Sequence, residues 1–404
     1  MRAAGFRFHP PPVDFVPAVR WALLRAFGPP DGAFSGPLDA EAAIRAAGSL
    51  DLGPRIGGRV GLATLKSDLG EEAGRSLLID NVKAAWIASE LVKCANVVAE
   101  AAAEIGVPVA FLKGVALRLS GVSGEGSRWL SDVDVLTPAG RASSLVEALV
   151  GRGFRSAEFR PEAQHLPPLR RGRTEVVEVH RLLLGVRLPP RRRFATFDDL
   201  AEHGMLERVP AEMPGQCLVP SRELLTAHAL AHGIAQHGLA PGSYPMTRML
   251  ADLIDLGFAG PDGPRLAEAV YPMVASNVSP KELDATRGLC VALTGGDIEL
   301  FAPGCSRPEA LLLRHVVAGL TDDAYCTAIR LPGLWSAPSE HARPIALLAD
   351  AYRALFLTRA QIDMVYGPPR SAWGYVGWRL LRPFDLVRRL VRYASILRQA
   401  RRRS

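Results

Sequence analysis

The amino-acid sequence predicts an α/β (α+β) fold in which a small mixed sheet lies between two helical regions. Residues 71–105 repeat apolar side chains at helical spacing, which predicts one long amphipathic helix that Gly106 and Pro108 end. Short apolar or β-branched segments follow, as is typical of strands, and from Ser221 the spacing is helical again. The predicted strands are Val107–Leu112, Leu130–Leu136 and Thr174–Leu182.

The other elements follow from the same spacing and capping rules. Helices are predicted over residues 13–27 and 39–47, with Asp39 as the N-cap of the second and Gly48 as its stop. Between the last two strands we predict a helix over residues 142–150, a strand over 154–159 and a basic turn at Arg170–Arg173. Later helices are predicted over residues 224–235, 247–256, 266–275, 308–318 and 345–357.

Four segments follow from this order of elements. We expect an N-terminal helical region (1–106), a mixed-sheet core (107–220), a second helical domain (221–367) and a basic amphipathic tail (368–404).

Composition narrows the class of protein. Of 404 residues, 48% are hydrophobic and 22% are charged, as is usual for folded globular chains. No apolar run is long enough to cross a bilayer, and the N-terminus lacks the apolar stretch of a signal peptide. Five cysteines without a C-x-x-C pair argue against a disulfide framework and a cysteine zinc site, so we expect a cytoplasmic protein.

The positive net charge of +7 comes from the tail. Residues 370–404 contain ten arginines and one aspartate, so the other 369 residues sum to −2. A near-neutral body argues against a long nucleic acid as partner.

Acidic side chains mark the candidate site. Asp132 and Asp134 alternate with valines on their strand, so both project from one face, about 7 Å apart. Glu178 and His180 share a face of the later strand in the same way. Mg²⁺ prefers oxygen ligands and combines one or two carboxylates with substrate phosphates, which suggests a metal–nucleotide site.

The motifs LKGVAL, DVDVL and EVH, in this order and on these elements, resemble the DNA polymerase β-like nucleotidyltransferase superfamily. More narrowly, residues 75–260 resemble a bacterial family of uncharacterised nucleotidyltransferases. His165 before the third carboxylate, the helix with His228 and His232, and the pair Arg248 and Asp252 also resemble that family, and we interpret these as substrate-contacting or supporting residues.

The resemblance implies a nucleotidyltransferase core with an NTP as substrate. Asp132, Asp134 and Glu178 would be catalytic and would bind two Mg²⁺ ions, and Glu178 would also orient or deprotonate an acceptor hydroxyl. Lys113, Gly114 and Arg128 would bind the nucleotide. His180 would contact substrate or serve as a structural histidine beside the site. The acceptor would be a small molecule, a saccharide or a peptide.

One departure leaves a second interpretation open. The superfamily usually has Gly-Ser at the first turn, whereas this chain has Gly114 and Val115, so Lys113 would take over as the phosphate cation. A degenerate nucleotide-binding or membrane-docked adaptor is therefore the alternative to an enzyme. A histidine-based metal hydrolase using His228 and His232 is a third, because they stand one helical turn apart.

The tail allows two interpretations. Residues 383–404 form a basic amphipathic pattern preceded by aromatic residues, which suggests binding to an anionic membrane surface, at the inner face of the membrane. A helix packed on the body with a solvated arginine face is the other interpretation.

Overall fold

A computed structural model describes residues 15–156, 165–190, 194–210, 212–236, 246–275, 278–321 and 373–388, except residues 31, 33, 35 and 386. The predicted helix over 345–357 and most of the tail lie outside these residues.

Helices surround one sheet. In chain order they are α1 (Pro17–Phe27), α2 (Ala40–Ser49), α3 (Gly53–Arg59), α4 (Leu62–Leu69), α5 (Glu71–Glu104), α6 (Lys113–Leu119), α7 (Ala142–Gly151), α8 (Phe197–Glu202), α9 (Arg222–Leu230), α10 (Met246–Asp255), α11 (Gly263–Val274), α12 (Pro280–Thr294) and α13 (Pro308–Thr321). Helix α9 continues as a π-helical segment, Ala231–Gln236, and residues 373–385 are also helical.

The sheet is mixed, as predicted. Its strands are β1 (Val109–Phe111), β2 (Val133–Leu136), β3 (Arg155–Ser156), β4 (Leu169–Arg171), β5 (Glu175–His180), β6 (Leu206–Arg208) and β7 (Cys217–Pro220), in the order β3-β4-β5-β2-β1-β7-β6. At its centre β2 pairs parallel with β5 and antiparallel with β1, and β1 pairs parallel with β7.

Period-two alternation divides the central strands between two hydrophobic cores. One core contains Val133 and Val135 of β2 with Val177 and Val179 of β5, packed under the C-terminal half of α5 and under α7. The other face of β1 and β2 contributes to a second core made with the N-terminal helices and α9–α13. Asp134 of β2 and Glu178 and His180 of β5 point to this second side, which determines where a site can form.

The N-terminal helices pack directly on the helices that follow the sheet. Both groups share the second core, and Arg55 of α3 donates to both carboxylate oxygens of Asp255 of α10, at 2.9 and 2.8 Å. Thr247 also donates to the backbone carbonyl of Leu50. These contacts attach the N-terminal region to α10.

Most element predictions are confirmed to within a few residues, and three are wrong. Helix α2 passes Gly48 and ends at Ser49, because Asp51 instead takes the left-handed position after the helix (φ 58). Arg170 and Arg171 lie in strand β4, which pairs with β5, rather than in a turn. The acidic strand begins only at Val133, so Asp132 lies just before it.

Candidate active site

The β2–β5 register brings two of the predicted acids face to face. Asp134 and Glu178 are direct partners across this parallel pair, and both point away from the valine-lined core. His180 follows Glu178 on the same face. The predicted convergence of acids from two separate strands is thus present in the structure for Asp134 and Glu178.

Asp134 is the centre of the site. Its side chain is 2% exposed, and Oδ1 accepts hydrogen bonds from Lys113 Nζ and His180 Nε2, each at 2.7 Å. Burial alone would raise the pKa of Asp134, but the charge of Lys113 and the bonds from His180 and Lys113 outweigh it and hold this pKa well below its ordinary value. Asp134 is therefore an anion at every physiological pH.

Lys113 reaches Asp134 from the turn between β1 and α6. Its backbone is left-handed (φ 49), which is uncommon for a residue with a Cβ, and it is the first residue of α6. Burial alone would lower the pKa of Lys113, but the charge of Asp134 and its hydrogen bond raise it, so the side chain remains an ammonium. The turn thus delivers a fixed cation to the acidic side of the sheet.

Gly114 lies under the arginine that sequence reasoning assigned to phosphate. A Cβ at Gly114 would come within 2.4 Å of Leu130 Cδ2 and 3.5 Å of the Arg128 guanidinium carbon. A Cβ here would displace the end of the Leu130 side chain, so glycine lets the start of α6 approach Arg128 without that shift. Gly114 therefore lies next to Arg128 as well as to Lys113, and nucleotide binding by these three residues stays a prediction.

The other two acids titrate differently from Asp134. Burial and the negative charge of Asp134 raise the pKa of Glu178, whose side chain is 22% exposed. Burial and Asp134 likewise raise the pKa of Asp132, which accepts a hydrogen bond from Ser131 at 3.0 Å. Asp132 and Glu178 therefore hold protons more readily than Asp134, and a bound cation would stabilise their ionised forms.

Among the described residues, the group whose ligand atoms lie within 4.8 Å of one another is Asp134, Glu178 and His180. The predicted set had Asp132 in place of His180. Burial lowers the pKa of His180, so the ring is neutral, and Nε2 carries the proton that it donates to Asp134. We therefore interpret His180 as the residue that orients Asp134.

The donor chemistry suits a hard divalent cation. Asp132, Asp134 and Glu178 are carboxylates, and Lys113 balances only one of their charges, which leaves two negative charges uncompensated. Mg²⁺ takes carboxylate oxygens and retains room for substrate phosphates. The residues present thus fit this ion, with Asp134 as its most constantly ionised ligand.

Two arginines border the acids and are each paired with a carboxylate. Arg128 donates to Asp252 of α10, and Arg248 of the same helix donates from Nε to Asp51 at 2.7 Å. Sequence reasoning allowed Arg248 and Asp252 to pair with each other along the helix. In the structure these two contacts instead join α10 to the loop before β2 and to the turn between α2 and α3.

Asn81 of α5 fixes the loop that carries Arg128. Its amide donates to the carbonyls of Gly126 and Pro54, at 2.8 and 3.1 Å. Gly126 has a left-handed backbone (φ 68), and a Cβ there would approach the Asn81 carbonyl oxygen to 2.4 Å. The loop is therefore held against α5 at a point where only glycine can be accommodated.

Histidine side chains also lie beside the acidic side chains. The rings of His165 and His180 meet edge to face, 5.4 Å between centroids, so His165 contacts the histidine that follows Glu178 on the same face of β5. Burial and, to a smaller extent, the positive charge of Lys113 lower the pKa of His228 to about 3. His228 is thus a neutral neighbour of Lys113, a position that its sequence spacing did not indicate.

The structure gives less support to a histidine-based metal hydrolase. His228 and His232 are ring neighbours, 6.2 Å between centroids, yet the potential metal group found in the described part of the chain does not include them. The acidic cluster remains the better candidate for a metal.

Fold and site together define an α/β protein with an acidic centre of potential metal ligands beside a lysine and two arginines. Residues 37–256, more than half of the chain, match the family model described as uncharacterised nucleotidyltransferase. The chain belongs to this family. The match begins well before residue 75, so the helices from α2 onward are part of the family unit. No curated protein and no solved structure matches the chain.

Proposed function

We propose that this protein transfers a nucleoside monophosphate group from an NTP to an acceptor hydroxyl or similar nucleophile and releases pyrophosphate. The observation that carries the proposal is the facing pair Asp134 and Glu178, with Lys113 bound to Asp134, in a member of a nucleotidyltransferase family. Near-neutral charge of the body supports a small molecule, a saccharide or a peptide as acceptor rather than a long nucleic acid.

Asp132, Asp134 and Glu178 would hold up to two Mg²⁺ ions. Bound there, Mg²⁺ would supply the positive charge that stabilises the developing charge on the α-phosphoryl group and on pyrophosphate. His180 and Lys113 keep Asp134 oriented and ionised before any substrate arrives. Lys113, the backbone at Gly114 and Arg128 then bind phosphate oxygens.

Glu178 is the residue best placed to act on the acceptor. It is the most exposed acid of the facing pair, and its raised pKa makes it a better proton acceptor than Asp134. The acceptor oxygen forms a bond to the α-phosphorus, the bond from that phosphorus to the bridging oxygen breaks, and the hydroxyl proton passes to Glu178. Pyrophosphate leaves with the electron pair of the broken bond.

The test is a labelling experiment. Purified protein is incubated with Mg²⁺, each of the four radiolabelled NTPs and fractionated cell extract, and the labelled product is isolated. We expect transfer that Asp134→Ala abolishes and Glu178→Gln strongly reduces. Glu175→Gln is the matched control, because Glu175 lies on the same strand but pairs with Arg171. Equal activity in all variants would contradict the proposed site.

A specific observation supports a second candidate, a nucleotide-binding adaptor without turnover. Val115 is buried in the core beneath the sheet, so the hydroxyl usual at this turn in the superfamily has no replacement at that position. Such an adaptor would bind Mg²⁺·NTP and release no pyrophosphate with any acceptor fraction. Pyrophosphate release in the same labelling reactions separates the two.

We also propose a cytoplasmic location, with the tail docked on the anionic inner face of the membrane. In the described part of the tail, apolar side chains at helical spacing are exposed, with Phe384 73% accessible. They are Trp373, Val376, Leu380, Phe384 and Val387. None of the helices that the structure describes is long and apolar enough to cross a bilayer, so docking would be peripheral.

Co-sedimentation with liposomes tests this docking. We expect full-length protein to bind vesicles that contain anionic lipid and not neutral vesicles, and deletion of residues 383–404 to abolish binding without affecting transfer. Absence of binding by the full chain would contradict the membrane proposal.

A further inference from the structure

Helix α10 carries three ion pairs along one face. Arg248, Asp252 and Asp255 recur at i, i+4 and i+7, so they line up on one side of the helix. Their partners are Asp51, Arg128 and Arg55 respectively. Two of these pairs hold an arginine at the border of the acidic site, and the third lies away from it.

Asp51 occupies an unusual place for a residue with a side chain. It follows α2 in a left-handed conformation (φ 58), and the backbone N–H groups of Asp51 and Leu52 bond to the carbonyls of Gly48 and Ala47. This is the helix-ending arrangement in which glycine is the usual left-handed residue. Aspartate tolerates the conformation better than most residues, but glycine would adopt it more readily.

The side chain at this position supplies a carboxylate to Arg248. Asp51 Oδ2 accepts a hydrogen bond from Arg248 Nε at 2.7 Å, and Arg248 Nη2 lies 2.5 Å from the same oxygen in the ion pair. Burial raises the pKa of Asp51, while the charges of Arg248 and Arg128 lower it. Arg248 and Arg128 thus compensate part of the hydration that the Asp51 carboxylate loses on burial.

Arg248 lies at the edge of the acidic site. It precedes Asp252 by one turn on the same face of α10, and Asp252 binds Arg128. The Arg128 guanidinium carbon is 3.5 Å from where a Cβ of Gly114 would lie, and the preceding residue, Lys113, binds Asp134. A guanidinium is a planar fork of donors, and fixing its plane in advance reduces the entropy lost when it binds a phosphate oxygen.

We infer that Asp51 is a positioning residue that holds Arg248 for binding the triphosphate of the substrate. The inference rests on the proposed function and extends it to the N-terminal region. The juxtaposition that carries it is a carboxylate in a glycine-type helix end that binds an arginine one helical turn from the Arg128–Asp252 pair at the edge of the acidic site.

A purely structural role would have a different signature. The Arg55–Asp255 pair joins the same two parts of the chain with two hydrogen bonds, but Arg55 Nε donates to the Ala26 carbonyl and its guanidinium stacks on Phe27, 5.3 Å from the ring centre. If Asp51 only ties the N-terminal region to α10, the variants Asp51→Asn and Asp255→Asn should behave alike. Asp255→Asn is therefore the matched control.

The experiment measures, by calorimetry at fixed ionic strength and with Mg²⁺, the binding of non-hydrolysable analogues of the four NTPs and of the corresponding NMPs. Asp51→Asn keeps the backbone preference and the shape but removes the charge. We expect its NTP affinity to fall about tenfold, the low end of what a charge-assisted hydrogen bond contributes. NMP affinity should stay within about twofold, because NMP lacks the β- and γ-phosphates that a triphosphate clamp holds.

Two further variants make the result decisive. Asp51→Gly restores the residue that this helix end favours, so it tests the carboxylate even if Asp51→Asn folds poorly, and it should lose NTP affinity in the same way. Arg248→Gln should lose at least as much, and the double variant with Asp51→Asn should lose no more than Arg248→Gln alone, because Asp51 acts through Arg248.

Three results would overturn the inference and leave the proposed function standing. They are wild-type NTP affinity in Asp51→Asn or Asp51→Gly, an equal loss in Asp255→Asn, and an equal loss for NTP and NMP. Failure of the wild-type protein to bind any of the four nucleotides would overturn the proposed function together with the inference, and it is recognised at once because it occurs without a substitution.

Discussion

The ion pair between Lys113 and Asp134 can be tested by a double-mutant cycle. In Asp134→Asn the ammonium of Lys113 loses the carboxylate that binds it at 2.7 Å, and in Lys113→Met the carboxylate, 2% exposed, loses its cation. Removing one partner of a buried pair costs about 3–5 kcal/mol. The Lys113 side chain is 26% exposed, so its ammonium can partly rehydrate. We therefore expect each single variant to lose about 3 kcal/mol in its free energy of unfolding, the low end of that range.

The double variant should lose no more than either single variant, because it buries no unpaired charge. The coupling energy at pH 7 would then be about 3 kcal/mol or more. Urea unfolding followed by circular dichroism measures all four free energies of unfolding.

The same cycle has a defined pH dependence. The folded-state pKa of Asp134 lies below its unfolded value of 3.8, because Lys113 and His180 outweigh burial. The stability that the pair contributes is therefore present above that value and is lost as the pH falls below it. A coupling energy below about 0.5 kcal/mol at pH 7 would refute the reasoning, since such values are typical of independent sites.

Three other changes have expected outcomes. Gly114→Ala should lower the free energy of unfolding in urea by about 1–3 kcal/mol, because its Cβ would meet Leu130 at 2.4 Å. Adding Leu130→Ala should recover part of that loss, and an additive loss would contradict the contact. Glu178→Gln should raise the free energy of unfolding at pH 7 and not at pH 4. Burial and the charge of Asp134 raise the pKa of Glu178 in the folded protein, so ionisation of Glu178 opposes folding. A gain in stability at both pH values would contradict this. Burial is the main cause that lowers the pKa of His228 to about 3, so its ring signals in an NMR titration should not shift between pH 8 and 5. Below pH 6.5 the unfolded state binds a proton at His228 and the folded state does not, so the protein should lose stability there. A titration midpoint near 6.5 in the folded protein would contradict this.

The sequence was sufficient for the central strands and for the side of the sheet that holds the site. Alternation alone puts Asp134 on one face and Val133 and Val135 on the other, and the same holds for Glu178 between Val177 and Val179. Because the period of a strand is two, these assignments need only the correct strand boundaries. The long helix α5 could be predicted equally well from the sequence, since its apolar spacing continues over many turns.

Pairing partners and edge strands could not be found in this way. Strand β4 is three residues long and contains two arginines, and it forms because β5 offers a backbone partner and Arg171 stacks on Phe154, 4.7 Å from the ring centre. Such tertiary contacts override local composition.

Long-range ion pairs were also beyond sequence reasoning. Asp51 and Arg248 are 197 residues apart, and neither belongs to a motif that would connect them. The one local signal was present but ambiguous, because Gly48 offered a conventional helix end three residues before Asp51. An aspartate in the left-handed position is visible only once the backbone is known.

The most direct test of the acidic site is a crystal of the protein grown with Mn²⁺, as a substitute for Mg²⁺, and a non-hydrolysable NTP. The account predicts an anomalous scattering peak at coordination distance from the carboxylates of Asp134 and Glu178, with the triphosphate bound to the same ion and next to Lys113 and Arg248. A nucleotide bound elsewhere, or an ion with no contact to Asp134, would contradict it.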